Sequence, residues 1–484
     1  MSRPVRIAAL TAVLCLAASP APAQRPVAER GAARAAATLE RLRADPPALR
    51  AFLRAFPKGG DLHHHFSGAV YAERYLAWAA EDGLCLDLAA RSAVAPPCDA
   101  ARGRPRADTV RADHRLWDAF VDAWSMRNWH PAQESGHRRF FSTFGRFGLL
   151  ERTRSADMLA EILAQAADDR ASYVETQHLP DGGAAIGLGL RTGWDGDAAA
   201  TRQRLLAAGL RDTVRRALAT LDTMETRARS RLGCGGPSPA PGCGVTVRYQ
   251  WVGLRAMPAA AVFAQLVAGF EAATLDGRLV GVNLAQPEDD PTAVGDYALH
   301  MRMLDALHAW YPDVPIALHA GELVEGLVPR EALRGHIRDA VLTGHARRIG
   351  HGVDVLDEDD GTGLLRLLTE RRVLVEINLT SNDQILGVAG ARHPLRAYLR
   401  AGVPVALSTD DEGVSRGSLT REYERAVLEH GVDYLTLRRM ARASLEHAFV
   451  APAERARLVR AWEEAVRGFE RGAGGPAGQR AGGQ

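Results

Sequence analysis

The sequence lacks the features that would point to nucleic acid or to a cysteine-bound metal. Lys and Arg number 60 and Asp and Glu 58, and no basic patch with interleaved aromatic residues occurs, so a nucleic-acid partner is not expected. The 5 cysteines contain no Cys-x-x-Cys spacing, which disfavours a cysteine-based metal site. With no internal repeat and an ordinary apolar fraction of 46%, the 484 residues suit one large domain with additions, or two domains.

A long hydrophobic run is also missing, and the short one at the N-terminus has a different meaning. Arg3 and Arg6 precede apolar residues 7–18, and the small residues 21–23 offer a cleavage site. This pattern is typical of a secretory signal peptide over residues 1–23. The run is too short to span a bilayer as a stable anchor. We therefore expect an exported chain, periplasmic or extracellular, without a stable membrane anchor.

The cysteines agree with export. Four remain after the leader, as two sequence-local pairs in stretches rich in Pro, Gly and Ala: Cys85, Cys98, Cys234 and Cys243. In an oxidising compartment the favoured pairing is Cys85–Cys98 and Cys234–Cys243. Four cysteines allow three connectivities, and the alternative is four free thiols in loops.

Short apolar, β-branched runs alternate with longer helical patterns from about residue 170 onward. Together with an earlier segment, the runs make eight strand candidates: 59–65, 172–177, 245–252, 279–285, 315–319, 348–351, 373–378 and 404–408. The helical patterns between them are 198–228, 259–275, 295–310, 361–371 and 394–401. Eight strand–helix repeats predict an α/β fold, a (β/α)8 TIM barrel, over residues 57–455.

Three segments lie outside this alternation. Residues 24–56 have apolar positions at helical spacing, broken by Pro46-Pro47, and predict two helices that cover the barrel bottom or a partner chain in a homodimer. Residues about 80–135 form an irregular insertion. The tail 472–484 is Gly-rich, and we expect it to be disordered.

Aromatic residues recur at helical spacing inside the insertion. Trp117, Phe120, Val121 and Trp124 would share one face of a helix. Such a stripe is either core packing or a lid over a site, and helical aromatic spacing favours core packing.

Polar side chains end five of the predicted strand regions. The stretches are Leu62-His63-His64-His65, Leu318-His319-Ala320-Gly321-Glu322, Ile349-Gly350-His351-Gly352, Glu376-Ile377-Asn378-Leu379-Thr380-Ser381-Asn382 and Ser408-Thr409-Asp410-Asp411. Side chains two apart in a strand point the same way, so His63 and His65 can reach one ion while His64 faces the opposite side. Functional residues of such barrels gather at the carboxyl ends of the strands, where all five stretches fall.

A set of three histidines and one aspartate suits zinc. His63, His65, His319 and Asp410 supply nitrogen and oxygen ligands from three strand ends and leave a position for water. We predict one Zn²⁺ per chain; cobalt and iron remain open.

Three further polar residues lie beside these ligands. Glu322 follows His319 beyond a glycine turn and can act as a general acid. His351, between two glycines, can take a proton from water or stabilise hydroxide, and Asp411 should diverge from the metal toward a substrate. Singly, each has a structural alternative, such as a helix N-terminal carboxylate or a helix cap. Five coincidences at matching strand ends favour a site.

With these motifs in combination, the first of them extended to Leu62-His63-His64-His65-Phe66-Ser67-Gly68, the chain resembles the adenosine deaminase family of the metal-dependent amidohydrolase superfamily from about residue 56 to 450. The leader and the inserted loops resemble the secreted, growth-factor-related branch or a bacterial relative.

The resemblance implies a role for each residue that matches a motif. The implied zinc ligands are His63, His65, His319 and Asp410. Glu322 matches the acid that protonates purine N1, His351 the histidine that handles the attacking water, and Asp411 the carboxylate that hydrogen-bonds N7. The implied reaction converts adenosine, or 2′-deoxyadenosine, to inosine, or its deoxy form, and ammonia.

Two residues depart from the family pattern. Ser67 stands where the classical enzymes carry an Asp that contacts ribose, and it loses a charge-assisted contact. Gln286 replaces a Gly whose backbone N–H serves the purine, so its side chain needs space and a compatible φ. Both are candidate substrate-binding positions.

Other functions stay open at this point. One alternative is a deaminase of another 6-aminopurine, or of an N6-substituted nucleoside or nucleotide. A nucleotide would need a phosphate clamp, for which Arg191 and Arg255 are weak candidates. The other alternative is a non-catalytic nucleoside-binding or signalling protein, which retention of all four ligands and Glu322 disfavours. Pro97-Cys98 lacks the second cysteine of the Pro-Cys-x-x-Cys deaminases, which excludes that mechanism.

Overall fold

The computed structural model describes residues 27–472, so the predicted signal peptide 1–23 and residues 473–484 of the predicted tail lie outside the described residues. Eight parallel strands carry the fold. They are β1 (Gly59–His65), β4 (Ala171–His178), β5 (Thr246–Leu254), β6 (Leu279–Ala285), β7 (Ala317–Ala320), β8 (Arg348–His351), β9 (Leu374–Ile377) and β10 (Val405–Leu407). The two remaining strands, β2 (Cys85–Asp87) and β3 (Ser92–Val94), form a small antiparallel hairpin.

The eight parallel strands close into a barrel. They form two four-stranded sheets, in the orders β1-β4-β5-β6 and β10-β9-β8-β7. Parallel bridges join the sheets at both seams, Val282 with Ile316 and His64 with Asp410. The predicted TIM barrel is confirmed, with every predicted strand present.

Helices surround the barrel and cover its ends. Their bounds, from the N-terminus to β7, are α1 (Val27–Leu42), α2 (Pro46–Ala55), α3 (Ala72–Glu81), α4 (Ala107–Arg111), α5 (His114–Ala123), α6 (Gly136–Phe141), α7 (Phe144–Thr153), α8 (Ser155–Asp168), α9 (Ala184–Thr192), α10 (Ala198–Ala207), α11 (Leu210–Arg231), α12 (Ala259–Leu275), α13 (Pro291–Gly295) and α14 (Tyr297–Trp310). After β7 follow α15 (His336–Leu342), α16 (Gly361–Glu370), α17 (Leu379–Leu386), α18 (Leu395–Ala401), α19 (Glu412–Ser415), α20 (Leu419–His430), α21 (Tyr434–Glu446) and α22 (Pro452–Gly472). Between residues 27 and 472, none of these helices combines the length and apolar character that a bilayer crossing requires.

Two predicted boundaries are wrong. The single helix expected over 198–228 is two helices, because Gly209 adopts a left-handed φ of 92° that interrupts the helical backbone between α10 and α11. The domain does not end near residue 455, since α22 runs on to Gly472 and buries Trp462 and Val466 against the core.

The N-terminal helices are part of the same packed body. Helix α1 packs on α21 and α22, and α2 packs on α20. Leu39, Leu49 and Leu53 are fully buried there, which accounts for the helical spacing of the apolar residues. Asp45 caps α2, and its Oδ1 accepts from the Ala48 N–H at 3.2 Å. These contacts place both helices on the C-terminal helices; the homodimer stays a prediction.

The insertion is compact and mostly packed. Cys85 and Cys98 form a disulfide that closes the β2–β3 hairpin region, and Cys234 and Cys243 form a second one in the loop before β5. Both are the sequence-local pairs. In α5 and its cap, Phe120, Val121 and Trp124 are buried, as core packing requires.

Candidate active site

The carboxyl ends of the barrel strands bring the predicted residues together. His63 and His65 lie in β1, His319 in β7, and Asp410 directly after β10. The Nε2 atoms of His65 and His319 are 3.1 Å apart, and His65 Nε2 lies 3.1 Å from Asp410 Oδ1. His63 Nε2 lies 3.6 Å from the same oxygen. The three imidazoles and the carboxylate thus converge on one point.

Buried partners fix which nitrogen each histidine presents. His63 Nδ1 lies 2.8 Å from Glu376 Oε2, and His319 Nδ1 lies 3.0 Å from Asn283 Oδ1. Both partners are acceptors, so both Nδ1 atoms carry the proton and both Nε2 lone pairs point into the cluster. Partners of this kind are typical of histidines that bind a metal.

The donor set fits a divalent transition metal. His63 Nε2 is buried and has no hydrogen-bond partner among residues 27–472, and the lone pair of His319 Nε2 faces His65 Nε2 across 3.1 Å. Facing lone pairs repel unless a cation or proton lies between them. A ring nitrogen of His351 also comes within 4.8 Å of ligand atoms of His63, His319 and Asp410. Nitrogen and carboxylate donors in this number suit zinc.

Glu322 is held at the rim of this cluster through its backbone. The buried carboxylate of Glu288 accepts from the Glu322 N–H at 2.9 Å and from the Gly321 N–H at 3.2 Å. Oε1 of Glu288 also lies 2.6 Å from His336 Nδ1. Burial raises the pKa of Glu322 well above its usual range, and Asp410 acts in the same direction. A carboxyl group that keeps its proton near neutral pH can act as a general acid.

A chain of hydrogen bonds sets the tautomer of His351. The Leu395 N–H donates to His393 Nδ1 at 3.1 Å, which leaves His393 Nε2 to donate to Asn382 Oδ1 at 3.1 Å. The amide of Asn382 then donates to His351 Nδ1 at 2.9 Å. Neutral His351 therefore carries its proton on Nε2, and burial lowers its pKa to about 3. It can donate a hydrogen bond to an oxygen in the site.

The Asp411 carboxylate lies beside the ligands, with one oxygen within 4.8 Å of ligand atoms of His65 and Asp410, so the divergence expected from the sequence is not complete. Asp410 has a left-handed φ of 61°, which turns the chain between the two side chains. A Cβ on Gly68 would meet Asp411 Oδ1 at 1.7 Å, so only glycine lets this carboxylate approach β1. Asp411 Oδ1 is buried without a partner among residues 27–472, and burial raises the pKa of this carboxyl to about 8.

The two departures from the family pattern differ in their surroundings. Ser67 is half-buried, and its carbonyl accepts from the Tyr75 hydroxyl at 2.9 Å. Gln286 has a φ of 80°, the conformation that glycine adopts readily, and its Oε1 accepts from the Ala256 N–H at 2.9 Å. The glutamine thus keeps a glycine-type backbone and ties down its side chain. His64 faces away from the cluster and contacts Thr176 Oγ1 at 3.0 Å.

Arg255 is one of two arginines that the sequence suggested for a phosphate clamp. It is buried under the site, and its Nη2 donates to the carbonyl oxygens of His319 at 2.8 Å and Leu284 at 2.9 Å. Those bonds hold the end of β7 against β6, so Arg255 supports the backbone. Arg191 lies in the last turn of α9 and is exposed.

Sequence reasoning assigned no role to the residues that support the ligands from inside the barrel, although Glu376 begins one of the five stretches. We name them the interior chain: Asn283, Gln250, Glu175, Arg348 and Glu376. Each contacts the next inside the barrel, with Arg348 Nη2 2.5 Å from Glu175 Oε2 and Arg348 Nε 2.7 Å from Glu376 Oε1. The chain runs from His319 to His63. Its signal in the sequence is charged or amide residues inside otherwise apolar strands.

Comparisons with known proteins show what part of the chain resembles. The family profile described as adenosine deaminase matches residues 235–464. The adenosine deaminase of Enterococcus faecalis is 34% identical over 143 residues, 29% of this chain and 39% of that protein. The adenine deaminase of Sinorhizobium fredii is 37% identical over 147 residues, 30% of this chain and 42% of that protein. The chain thus spans about two fifths of these curated relatives.

Solved structures share the fold over a longer stretch. A zinc-bound amidohydrolase from Burkholderia ambifaria superposes with a TM-score of 0.53 at 17% identity, covering 88% of this chain and 94% of that one. The profile and the relatives therefore place residues 235–464 in the adenosine deaminase family, and the solved structure shares the barrel fold that carries them.

Proposed function

We propose that the protein hydrolyses adenosine and 2′-deoxyadenosine to inosine or deoxyinosine and ammonia. The observation that carries the proposal is the convergence of His63, His65, His319 and Asp410 at the strand ends, with the buried acid Glu322 beside them. This arrangement pairs a metal-ligand set with a proton donor, which deamination at an aromatic carbon requires.

Zinc is the metal that we propose for this site. The three histidine Nε2 atoms and the Asp410 carboxylate would hold it, and a zinc-bound structural neighbour supports this assignment. Zinc bound there would supply a Lewis acid that lowers the pKa of water toward neutrality.

The chain's own residues would handle the protons and orient the base. Glu322, protonated because of its burial, would donate to purine N1 and so make C6 electrophilic. His351 would donate from Nε2 to the oxygen that adds to C6, as its tautomer dictates. Asp411, kept protonated by burial, would donate to N7. Addition of water at C6 and departure of the amino group as ammonia balance the reaction.

We propose that Ser67 contacts the sugar of the substrate. Ser67 offers one neutral hydrogen bond where an aspartate would offer a charge-assisted one. The Ser67→Asp variant should change the KM for nucleosides more than it changes kcat. Equal KM values for the two proteins across adenosine, 2′-deoxyadenosine and adenine would argue against a sugar contact at this position.

The test of the function is ammonia release by the purified mature chain with zinc. Adenosine, 2′-deoxyadenosine, adenine, AMP and N6-methyladenosine form the panel, with methylamine measured for the last. Glu322→Gln serves as the matched inactive control. Turnover of the two nucleosides above the others supports the proposal. Preference for adenine, the substrate named for one set of relatives, would move the function to the free base. No turnover on any of the five substrates, with zinc bound, would overturn it.

We also propose that the protein is exported. The leader-like residues 1–23 and the two disulfides support this. Fractionation of the producing cells tests it: the mature chain, beginning near residue 24, should be found outside the cytoplasm, and a full-length cytoplasmic chain would contradict it.

A further inference from the structure

A second concave surface lies at the opposite end of the barrel from the metal cluster. This basal pocket has a volume of about 420 Å³, which falls within the range of small-molecule sites. It lies where β8 and β9 begin, whereas His351 lies where β8 ends. Five arginines line it: Arg347, Arg348, Arg371, Arg372 and Arg455.

Most of these arginines have no acidic partner. Within residues 27–472, no carboxylate lies within 4.0 Å of the guanidinium groups of Arg347, Arg371 and Arg372, and all three are exposed. Arg455 donates only to backbone carbonyls, those of Ala448 and Val450. The one acid in the lining, Glu446, is already 2.8 Å from Arg442 Nε. The pocket therefore carries an uncompensated positive charge.

The remaining wall of the pocket consists mainly of aromatic and imidazole rings. The rings of His308 and His345 stack with their centroids 4.2 Å apart. The buried Cζ of Arg348 lies 3.7 Å from the ring centroid of Phe449. Burial lowers the pKa of His447, also in the lining, to about 4, and three nearby arginines act in the same direction.

Helix ends offer a competing explanation for the arginines. Helices α15, α16 and α21 all end beside the pocket, and the free carbonyls at a helix C-terminus favour cations. That role would stabilise the fold whatever solute is present. The helix-end role does not explain why Arg347 and Arg372, which precede two different strands and have no acidic partner, line the same cavity.

We propose that the basal pocket binds a phosphate-bearing small molecule. Guanidinium groups match phosphate oxygens with paired N–H donors, and several of them around one cavity suit two linked phosphates better than one. The site is separate from the metal cluster and does not depend on the proposed deaminase activity.

Isothermal titration of the full chain with inorganic pyrophosphate and with UDP tests this. UDP carries the diphosphate on a base without a 6-amino group, so it does not resemble the proposed substrates. The variant Arg371→Gln/Arg372→Gln removes two charges from the pocket. The matched control, Arg366→Gln/Arg400→Gln, removes two exposed charges that do not line the pocket. Zinc content is measured after each titration, because phosphates chelate zinc.

We expect one pyrophosphate per chain, about tenfold or more weaker in the pocket variant and unchanged in the control. UDP binding with the same variant dependence would identify a nucleoside diphosphate as the ligand class; pyrophosphate binding alone would identify an inorganic one. Equal affinity in all three proteins, or no saturable binding, would overturn the proposal and leave the helix-end role. If the double variant unfolds, Arg347→Gln on the neighbouring strand start gives the same comparison.

Discussion

Glu376 provides the sharpest test of the metal-site geometry, because it touches no proposed substrate atom. Its Oε2 accepts from His63 Nδ1 at 2.8 Å, and its Oε1 lies 2.7 Å from Arg348 Nε. In Glu376→Gln the amide must present an N–H to one of these two donors. The neutral amide removes the ion pair with Arg348 in either orientation, and one of the two donors also loses its acceptor.

The magnitude follows from burial. Glu376 and Arg348 are both fully buried, and removal of one member of a buried ion pair costs about 3–5 kcal/mol. Arg348 retains Glu175, so we expect the low end, about 3 kcal/mol of unfolding free energy. Loss of a partner that orients a metal-binding histidine weakens metal affinity about 10–100-fold, which is about 1.4–2.8 kcal/mol.

Two measurements separate these effects. Urea unfolding of the zinc-free chain reports the ion pair, and competition with a zinc chelator reports the affinity. Glu370→Gln, an exposed change at the end of α16, is the matched control. Wild-type zinc affinity in Glu376→Gln would refute the orientation argument, and an unchanged urea midpoint would refute the buried-pair argument.

Three further predictions concern protons. Glu322→Gln should keep zinc and lower kcat by about 10²–10⁴-fold, because the amide cannot donate an acid proton to N1. Asn382→Asp should place an acceptor against His351 Nδ1, reverse its tautomer and lower kcat by a similar factor with zinc retained. Burial raises the pKa of Glu422 from 4.5 to about 7, so the folded state binds this proton more tightly than the unfolded state. Glu422 should therefore contribute a fall of about 3 kcal/mol in the free energy of unfolding as pH rises from about 4.5 to 7, and Glu422→Gln should make the total fall smaller by that amount.

Each of these predictions has an outcome that contradicts it. A wild-type rate in Glu322→Gln would remove that residue from the acid role. Wild-type kcat in Asn382→Asp would show that the tautomer of His351 does not matter to the reaction. An identical pH slope in Glu422→Gln and wild type, measured by urea unfolding, would assign the slope to other groups.

The barrel could be predicted because its signals are local. Each strand is a short apolar run, and the motif histidines mark where the strands end. The break at Gly209 could not be predicted, because the helical spacing of the apolar residues continues through it. A glycine is tolerated inside a helix, so its presence alone does not predict that the helix ends there. The end of α22 was missed because its apolar face is narrow and one of its partners, α1, is distant in sequence.

The site divides in the same way. The ligands and Glu322 lie in dense polar motifs at strand ends, where alternation determines which side chains point inward. Glu288 and Asn382 act through contacts with other segments, on the backbone of Glu322 and on the ring of His351. Nothing in their local sequence encodes those partners, so only the fold reveals them.

The interior chain limits how this protein can be altered. His63 and His319 are held by one run of charged and amide side chains that crosses the barrel interior. The barrel interior and the candidate active site therefore cannot be redesigned independently. A library that varies Gln250 or Glu175 for stability would be selecting, at the same time, for metal retention. Those positions should be varied together or held fixed, since a single change leaves the next member of the run with an unmatched donor or charge.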